Sequence, residues 1–134
     1  MNQEDQIALI RHRMKNAHDT LEQAESLYNI NQYLGVVNRA YYAMFYACVA
    51  ILLTKGLGSS NHKGVLSLFD KEFVKPGEVD VKWSKILHHS FERRNWSDYD
   101  DWATVEQEEA DELFRNARNF VQWAQKWLKE KEYI

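Results

Sequence analysis

The feature that most limits the fold of this sequence is a long apolar stretch at residues 36–53, VVNRAYYAMFYACVAILL. As a helix it is apolar on nearly every face, so it must be buried by other elements or inserted in lipid. Asn38 and Arg39 leave only Ala40 to Leu53 as an unbroken run. At about 1.5 Å per residue, this run is too short for a hydrocarbon core of roughly 30 Å. We therefore expect the central helix of a protein core and no membrane contact.

The composition favours an all-α fold. The chain has 134 residues with only 5 Gly and 1 Pro, which are few for a protein of strands and tight turns. Its length suits one domain over residues 1–134. The net charge of -3 gives no general attraction to nucleic acid, so RNA binding would need a local basic cluster.

The N-terminal region and the single cysteine indicate a cytoplasmic protein. The first residues, MNQEDQIALI, lack the basic and then apolar pattern of a signal peptide. A disulfide within the chain is impossible, and the position of Cys48 inside the apolar stretch favours a buried side chain over a reactive thiol.

Apolar periodicity predicts four long helices and one short helix in an up-and-down bundle. The first helix carries a stripe from Ile7 to Tyr28, and we expect Asn31 to cap the central helix. The short helix covers residues 62–75 behind an Asn61 cap. Pro76 ends it.

The second half contains two further long helices. Asp80 is the expected cap of the fourth helix, and residues 95–103 (NWSDYDDWA) indicate a loop or a frayed helix end. Thr104 and Gln107 fit a capping box for the fifth helix. On this helix, the tryptophans Trp123 and Trp127 lie off the main stripe. They indicate either an interface or a thick bundle.

Known catalytic and metal-binding signatures are missing. There is no glycine-rich phosphate loop, and none of the five His has a His four residues away. The acidic residues Asp98, Asp100 and Asp101 lack the glycine and distal Glu of a calcium loop. We therefore expect no metal and no cofactor.

Two arginines are unusual because apolar segments direct them toward the bundle. The apolar face of helix 4 leads to Arg94, for which Asp98 or Tyr99 is the nearest partner. Arg94 is either a structural clasp or an anion-binding group. Burying Arg39 unpaired would cost several kcal/mol. It therefore needs an open position or a partner, such as Asp98 or Glu92, with Tyr42 in the same cluster.

A second face of helix 4 is basic. It carries Lys82, Lys85, His89 and Arg93, a stripe that could follow a phosphate backbone or be an ordinary solvated surface. The neighbouring Trp96 could stack on a base or cover the end of the bundle.

Three segments together resemble a branch of the HEPN superfamily of small all-α prokaryotic proteins. They are NRAYYAMFYACVAILLTKGL, HKGVLSLFDKEFVK and ERRNWSDYD, followed by a long final helix. The resemblance implies a bundle that forms a homodimer and is often encoded beside a small nucleotidyltransferase. Many members are toxins that cleave RNA without a metal.

The catalytic signature of those toxins is an Arg followed a few residues later by a His, with two copies meeting across the dimer. Arg94 matches the Arg and Asn95 the polar residue that often follows it, whereas Tyr99 occupies the His position. Proton abstraction from a 2′-hydroxyl needs a base with a pKa near 7, and Tyr titrates near 10. Arg13 and His18 match the spacing too, but five residues on a helix turn about 500°, so their side chains diverge by roughly 140°.

Three hypotheses follow. In the first, a HEPN protein without strong catalysis binds a nucleotide, RNA or a nucleotidyltransferase partner, as half of a toxin–antitoxin pair. Its ligand contacts would be Arg39, Arg93, Arg94 and Asn95, supported by Tyr42 and Asp98, with Tyr99 donating a hydrogen bond. In the second, Arg94 and Tyr99 cleave RNA. In the third, the arginines are clasps of a purely structural dimer.

Overall fold

The computed structural model describes residues 1–134 as an all-α bundle, which confirms the predicted fold class. The four long helices are α1 (Gln3–Asn29), α2 (Tyr33–Leu53), α4 (Val81–Tyr99) and α5 (Gln107–Glu130). The short helix α3 (His62–Phe69) continues into one π-helical turn, Asp70–Val74. Short connections link these elements, as in an up-and-down bundle.

Helix α2 is the centre of the bundle and packs against α1, α3, α4 and α5. Its length and hydropathy would also suit a membrane-spanning helix, but 61% of its apolar window is buried inside the protein. Cys48 is fully buried, and burial raises the pKa of its thiol well above the usual range. Both observations agree with a core helix enclosed by its neighbours.

The tryptophans of α5 are taken up by the bundle. Trp127 is buried and packs edge-on against Phe73, with 5.8 Å between ring centroids. Trp123 stacks on Trp83 of α4 at 4.8 Å. Of the two alternatives for these residues, the thick bundle is therefore the correct one.

Two of the expected helix caps are confirmed and two are wrong. Asn61 Oδ1 accepts a hydrogen bond from the Gly64 amide at 2.7 Å, and Asp80 Oδ1 accepts one from the amide of Lys82 at 2.8 Å. In contrast, Asn31 has left-handed backbone (φ 62°), so α2 begins one residue later than a cap at that position would allow. The Thr104 capping box does not form, because α5 starts only at Gln107.

Helix α4 extends into residues 95–103, the segment predicted to be a loop or a frayed helix end. Its regular backbone continues to Tyr99, so the first five residues of that segment form its last turn. This end of α4 carries Arg94, Asn95 and Asp98 on continuous helix. Their relative directions are therefore fixed by helical geometry.

One carboxylate joins α3 to α4. Asp70, the first residue of the π-helical turn, accepts a hydrogen bond from the Ser84 hydroxyl at 2.5 Å and lies 2.7 Å from Nε2 of His88. Both partners lie on α4. This pairing fixes where α4 lies along α3, and hence where Arg94 lies against α2.

Candidate functional site

Arg94 is the most enclosed guanidinium with an ion-pair partner in the protein, with a side chain only 13% exposed. Its Nη2 donates to the Tyr42 hydroxyl at 3.3 Å, and its Nη1 donates to Asn95 Oδ1 at 3.2 Å. Asp98 Oδ2 lies 3.0 Å from Nε. Of the two predicted partners of Arg94, Asp98 is therefore the one that pairs with it, and Asn95 and Tyr42 also contact it.

The Nε–H group of Arg94 is buried without a well-directed hydrogen bond. The oxygen of Asp98 is within ion-pair distance but off the direction of the N–H bond. A buried donor without an acceptor costs about 1–3 kcal/mol. This donor is closed to solvent. The hydrogen-bonding capacity left for a ligand lies in Nη1 and Nη2, each of which donates only one hydrogen bond in the protein.

Two tyrosine rings of α2 lie against the same guanidinium. The Cζ atom of Arg94 is 5.4 Å from the ring centroid of Tyr41 and 5.3 Å from that of Tyr42. At these distances the cation is attracted to the electron-rich ring faces. The rings and hydrogen bonds together hold Arg94 in one orientation.

Arg39 approaches the same cluster from α2. Its Cζ lies 5.1 Å from the ring centroid of Tyr42, so both arginines are neighbours of that ring. The expected partners Asp98 and Glu92 are wrong. Arg39 donates instead to Asn38 at 2.9 Å and to Gln23 of α1 at 3.1 Å, and it forms no ion pair within 4.0 Å.

Arg93 faces a different part of the surface. Its Nε donates to Glu109 of α5, and its guanidinium stacks over Trp96 with 4.0 Å from Cζ to the ring centroid. Lys82 lies over the ring of Trp83 at 5.0 Å. The basic stripe of α4 is thus partly neutralised, and Trp96 packs on the protein itself.

Tyr99 does not join Arg94 within one chain. Its side chain is 83% exposed and it forms no hydrogen bond to another residue. Because α4 is continuous from Arg94 to Tyr99, the five intervening steps turn the helix by about 500° and separate the two side chains by roughly 140°. The geometric argument against Arg13 and His18 applies here as well.

His62, which the sequence analysis placed in no site, lies in this cluster. Its Nδ1 is 2.8 Å from the Tyr41 hydroxyl, and its ring stacks on Phe45 at 4.3 Å. Burial, and secondarily the positive charge of Arg94, lowers the pKa of His62 below its ordinary value. The imidazole is therefore neutral at pH 7.

Gly64 allows the loop before α3 to hold His62 in place. A Cβ atom at position 64 would lie 2.0 Å from Oγ and 2.8 Å from Cβ of Ser59. Glycine therefore permits a close approach that any side chain would prevent. The Asn61 cap followed by Gly64 was the sequence signal for this fixed loop, although it did not reveal what His62 contacts.

No cavity of the single chain includes the two central residues of this site. Neither Arg94 nor His62 lines any of the five cavities found on the protein. The most apolar cavity, of about 290 Å³, lies between α1, α2 and the following loop. No group of three or more His, Cys, Asp or Glu side chains converges as a metal site would require.

Comparisons with known proteins agree with this architecture. The profile of the HEPN domain matches residues 10–127. A UPF0332 protein of Thermotoga maritima is 35% identical over 130 residues, which cover 97% of each chain.

Two relatives from Methanocaldococcus jannaschii carry names that refer to a toxin. "Putative toxin MJ0142" is 36% identical over 121 residues, or 90% of this chain and 82% of the relative. "Putative toxin MJ0605" is 36% identical over 114 residues, or 85% and 84%. The profile and these relatives span most of the chain. The protein therefore belongs to the HEPN domain family.

Proposed function

We propose that this protein binds a phosphate-bearing ligand, a nucleotide or RNA, at the end of α4 around Arg94. The observation that carries the proposal is the guanidinium of Arg94, which is held in a fixed orientation and has terminal N–H bonds beyond the two that donate to Tyr42 and Asn95. Arginine offers several donors in a rigid planar arrangement that suits phosphate oxygens. Asn95 supports that arrangement from the same helix turn.

Arg39 strengthens the anionic character of the expected ligand. It lies beside the same Tyr42 ring and its charge has no carboxylate partner within 4.0 Å. The whole chain has a net charge of -3, so attraction of an anion must come from such a local pair. Arg93 would add a weaker contribution, because it faces a different part of the surface, where it pairs with Glu109 and stacks over Trp96.

A homodimer fits the open shape of the site. A second copy placed against this end of α4 would enclose the ligand and bring the exposed side chains of Tyr99 and Trp102 into contact. The toxin names of two relatives favour a role in a toxin–antitoxin pair. The resemblance to the HEPN superfamily adds a small nucleotidyltransferase as the proposed protein partner.

The resemblance to the HEPN superfamily favours a second candidate function, metal-independent cleavage of RNA. Arg94 would stabilise the charge that develops on the phosphate, and Tyr99 of a second copy would contribute across the dimer. A tyrosine side chain is ordinarily a poor base at neutral pH. Ligand binding is therefore the first candidate.

One set of variants tests both candidates. We expect AMP or a single-stranded oligoribonucleotide to bind the wild-type protein, and Arg94→Ala to weaken binding about tenfold or more. Arg118→Ala, an exposed arginine on α5, is the control and should bind normally. Equal binding by Arg94→Ala would refute the proposed site. Cleavage of total RNA that disappears in Arg94→Ala would establish the second candidate instead.

A further inference from the structure

We propose that His62 is a third anion-binding group of this site and donates its Nε2–H to a phosphate oxygen of the ligand. No sequence motif assigns this residue to the site. The inference rests on the proposed function of Arg94, and it adds a neutral donor from α3 to the cationic donor from α4. It also implies that His62 does not act as a proton acceptor.

The first step concerns the proton between Tyr41 and His62. The Tyr41 side chain is fully buried, and this burial raises the pKa of its hydroxyl far above the usual range despite the nearby charge of Arg94. The group therefore remains an O–H. Its one hydrogen-bond partner in the protein is His62 Nδ1 at 2.8 Å. Because the buried O–H has no other acceptor, we assign the hydroxyl as the donor and Nδ1 as the acceptor.

The second step follows from the chemistry of imidazole. A neutral ring carries one proton, and a ring whose Nδ1 accepts a hydrogen bond carries that proton on Nε2. Tyr41 thus selects the Nε2–H tautomer of His62. Because Nε2 carries the proton of the neutral ring, it can donate a hydrogen bond to an anion. It has no free lone pair with which to accept a proton from a hydroxyl group.

The third step is that Nε2 is free to act. Nε2 has no hydrogen-bond partner in the protein. The buried side-chain atoms that lack a partner are Ser90 Oγ and Arg94 Nε, so Nε2 is not a buried atom. Solvent therefore reaches it. Because Nδ1 faces the Tyr41 hydroxyl, Nε2 points away from that hydroxyl.

The fourth step is rigidity and charge. The His62 ring stacks on Phe45 at 4.3 Å and lies edge-on to Tyr42 at 5.6 Å, so little side-chain freedom is left to lose on binding. A neutral donor also avoids the repulsion that a third cation beside Arg94 and Arg39 would cause. His62 and Arg94 both lie beside the rings of Tyr41 and Tyr42, so the proposal assigns one neutral and one charged donor to the same ligand.

The tautomer can be measured without any ligand. Long-range proton–nitrogen NMR spectra of the folded protein at about pH 8 distinguish a protonated from an unprotonated imidazole nitrogen. We expect His62 to show protonated Nε2 and unprotonated Nδ1, and Tyr41→Phe to weaken this preference. A proton on Nδ1 in the wild-type protein would overturn the inference.

Binding of AMP tests the role of the donor. His62→Phe keeps a ring on Phe45 but removes the donor, so we expect about tenfold weaker binding. His62→Gln places an amide N–H near the position of Nε2 and should lose only a few-fold. His12→Gln, at an exposed position of α1, is the control and should bind as the wild type does.

The outcomes separate the inference from the function on which it rests. Normal AMP binding by folded His62→Phe and His62→Gln, together with a loss in Arg94→Ala, would overturn the role of His62 and leave the Arg94 site intact. Normal binding by Arg94→Ala would overturn both. A larger loss in His62→Phe than in His62→Gln, with a loss in Arg94→Ala, would support both.

Discussion

The protein contains two aromatic clusters of similar density. The first, here called the core cluster, is built from side chains of α3, α4, α5 and the π-helical turn: Phe69, Phe73, Trp83, Phe120, Trp123 and Trp127. The second, the site cluster, is built from α2, α3 and α4: Tyr41, Tyr42, Phe45, His62 and Phe91. Ring centroids within each are 4.3–6.5 Å apart.

The clusters differ in their polar atoms. No ring of the core cluster forms a side-chain hydrogen bond, and cations reach it only at the edge, as Lys55 does over Phe73. In the site cluster, Tyr41 bonds to His62 and Tyr42 bonds to the guanidinium of Arg94. Polar groups inside a cluster of rings add little stability. Their presence in one cluster only fits the proposed division of roles, in which the core cluster stabilises the fold and the site cluster binds the ligand.

The largest effect should come from the core cluster. Phe120→Ala removes a fully buried ring that packs against Phe69, Trp83 and Trp123, and should lower the free energy of unfolding by about 3–5 kcal/mol. Urea unfolding measures this loss, with the exposed neighbour Gln122→Ala as control. If the folded Phe120→Ala variant lost AMP binding as well, the separation of the two clusters would be wrong.

A smaller loss of stability should follow from breaking the link between α3 and α4. Asp70→Ala leaves the Ser84 hydroxyl and His88 without their acceptor and should cost about 1–3 kcal/mol. Asp111→Ala removes an exposed ion pair with Arg115 and should change stability by at most about 1 kcal/mol. Urea unfolding of both variants checks this, and equal stabilities would contradict the role given to Asp70.

Removing one hydroxyl from the site cluster should affect binding more than stability. Tyr42→Phe keeps the ring beside Arg94 but takes away the acceptor for Nη2, so the guanidinium loses part of its fixed orientation. We expect AMP to bind several-fold more weakly and stability to fall by about 1 kcal/mol. Tyr28→Phe is the matched control, because the Tyr28 hydroxyl forms no hydrogen bond and its ring packs against Phe114 of α5 instead of Arg94. Equal effects of the two variants on AMP binding would count against an orienting role.

The smallest effect concerns pH. The pKa of His62 is lowered in the folded protein, mainly by burial, so the unfolded chain binds more protons below its ordinary value of 6.5. This term stabilises the fold fully above about pH 6.5 and is lost as pH falls toward the lower folded pKa. Urea unfolding between about pH 7.5 and pH 5 should therefore show a weaker acid dependence in His62→Gln than in His89→Gln. Identical pH profiles would show that His62 is not perturbed by folding.

The sequence was most informative where a structural feature is local. The caps at Asn61 and Asp80 were predictable, because each depends on a side chain and an amide two or three residues away. The ion pair of Arg94 with Asp98 was also foreseen, since the two residues are one turn apart on a helix. Such pairs follow from helical geometry alone.

The sequence was least informative about contacts between distant segments. Arg39 donates to Gln23 of α1, which lies 16 positions away in the sequence. Tyr41 contacts His62, which lies 21 positions away. Periodicity indicates which face of a helix is buried, but not which polar group from another helix meets it. The cap assigned to Asn31 failed for a related reason, because its left-handed backbone is part of a turn set by the packing of two long helices.

The central claim is that ligand binding belongs to the site cluster and to Arg94. Titration of the nitrogen-labelled protein with AMP, followed by proton–nitrogen NMR spectra, tests it most directly. We expect saturable shifts of the Arg94 Nε–H, of the amide of Tyr42 and of the His62 imidazole, with the indole N–H of Trp123 unchanged. Saturable shifts confined to the core cluster, or none at Arg94, would contradict it.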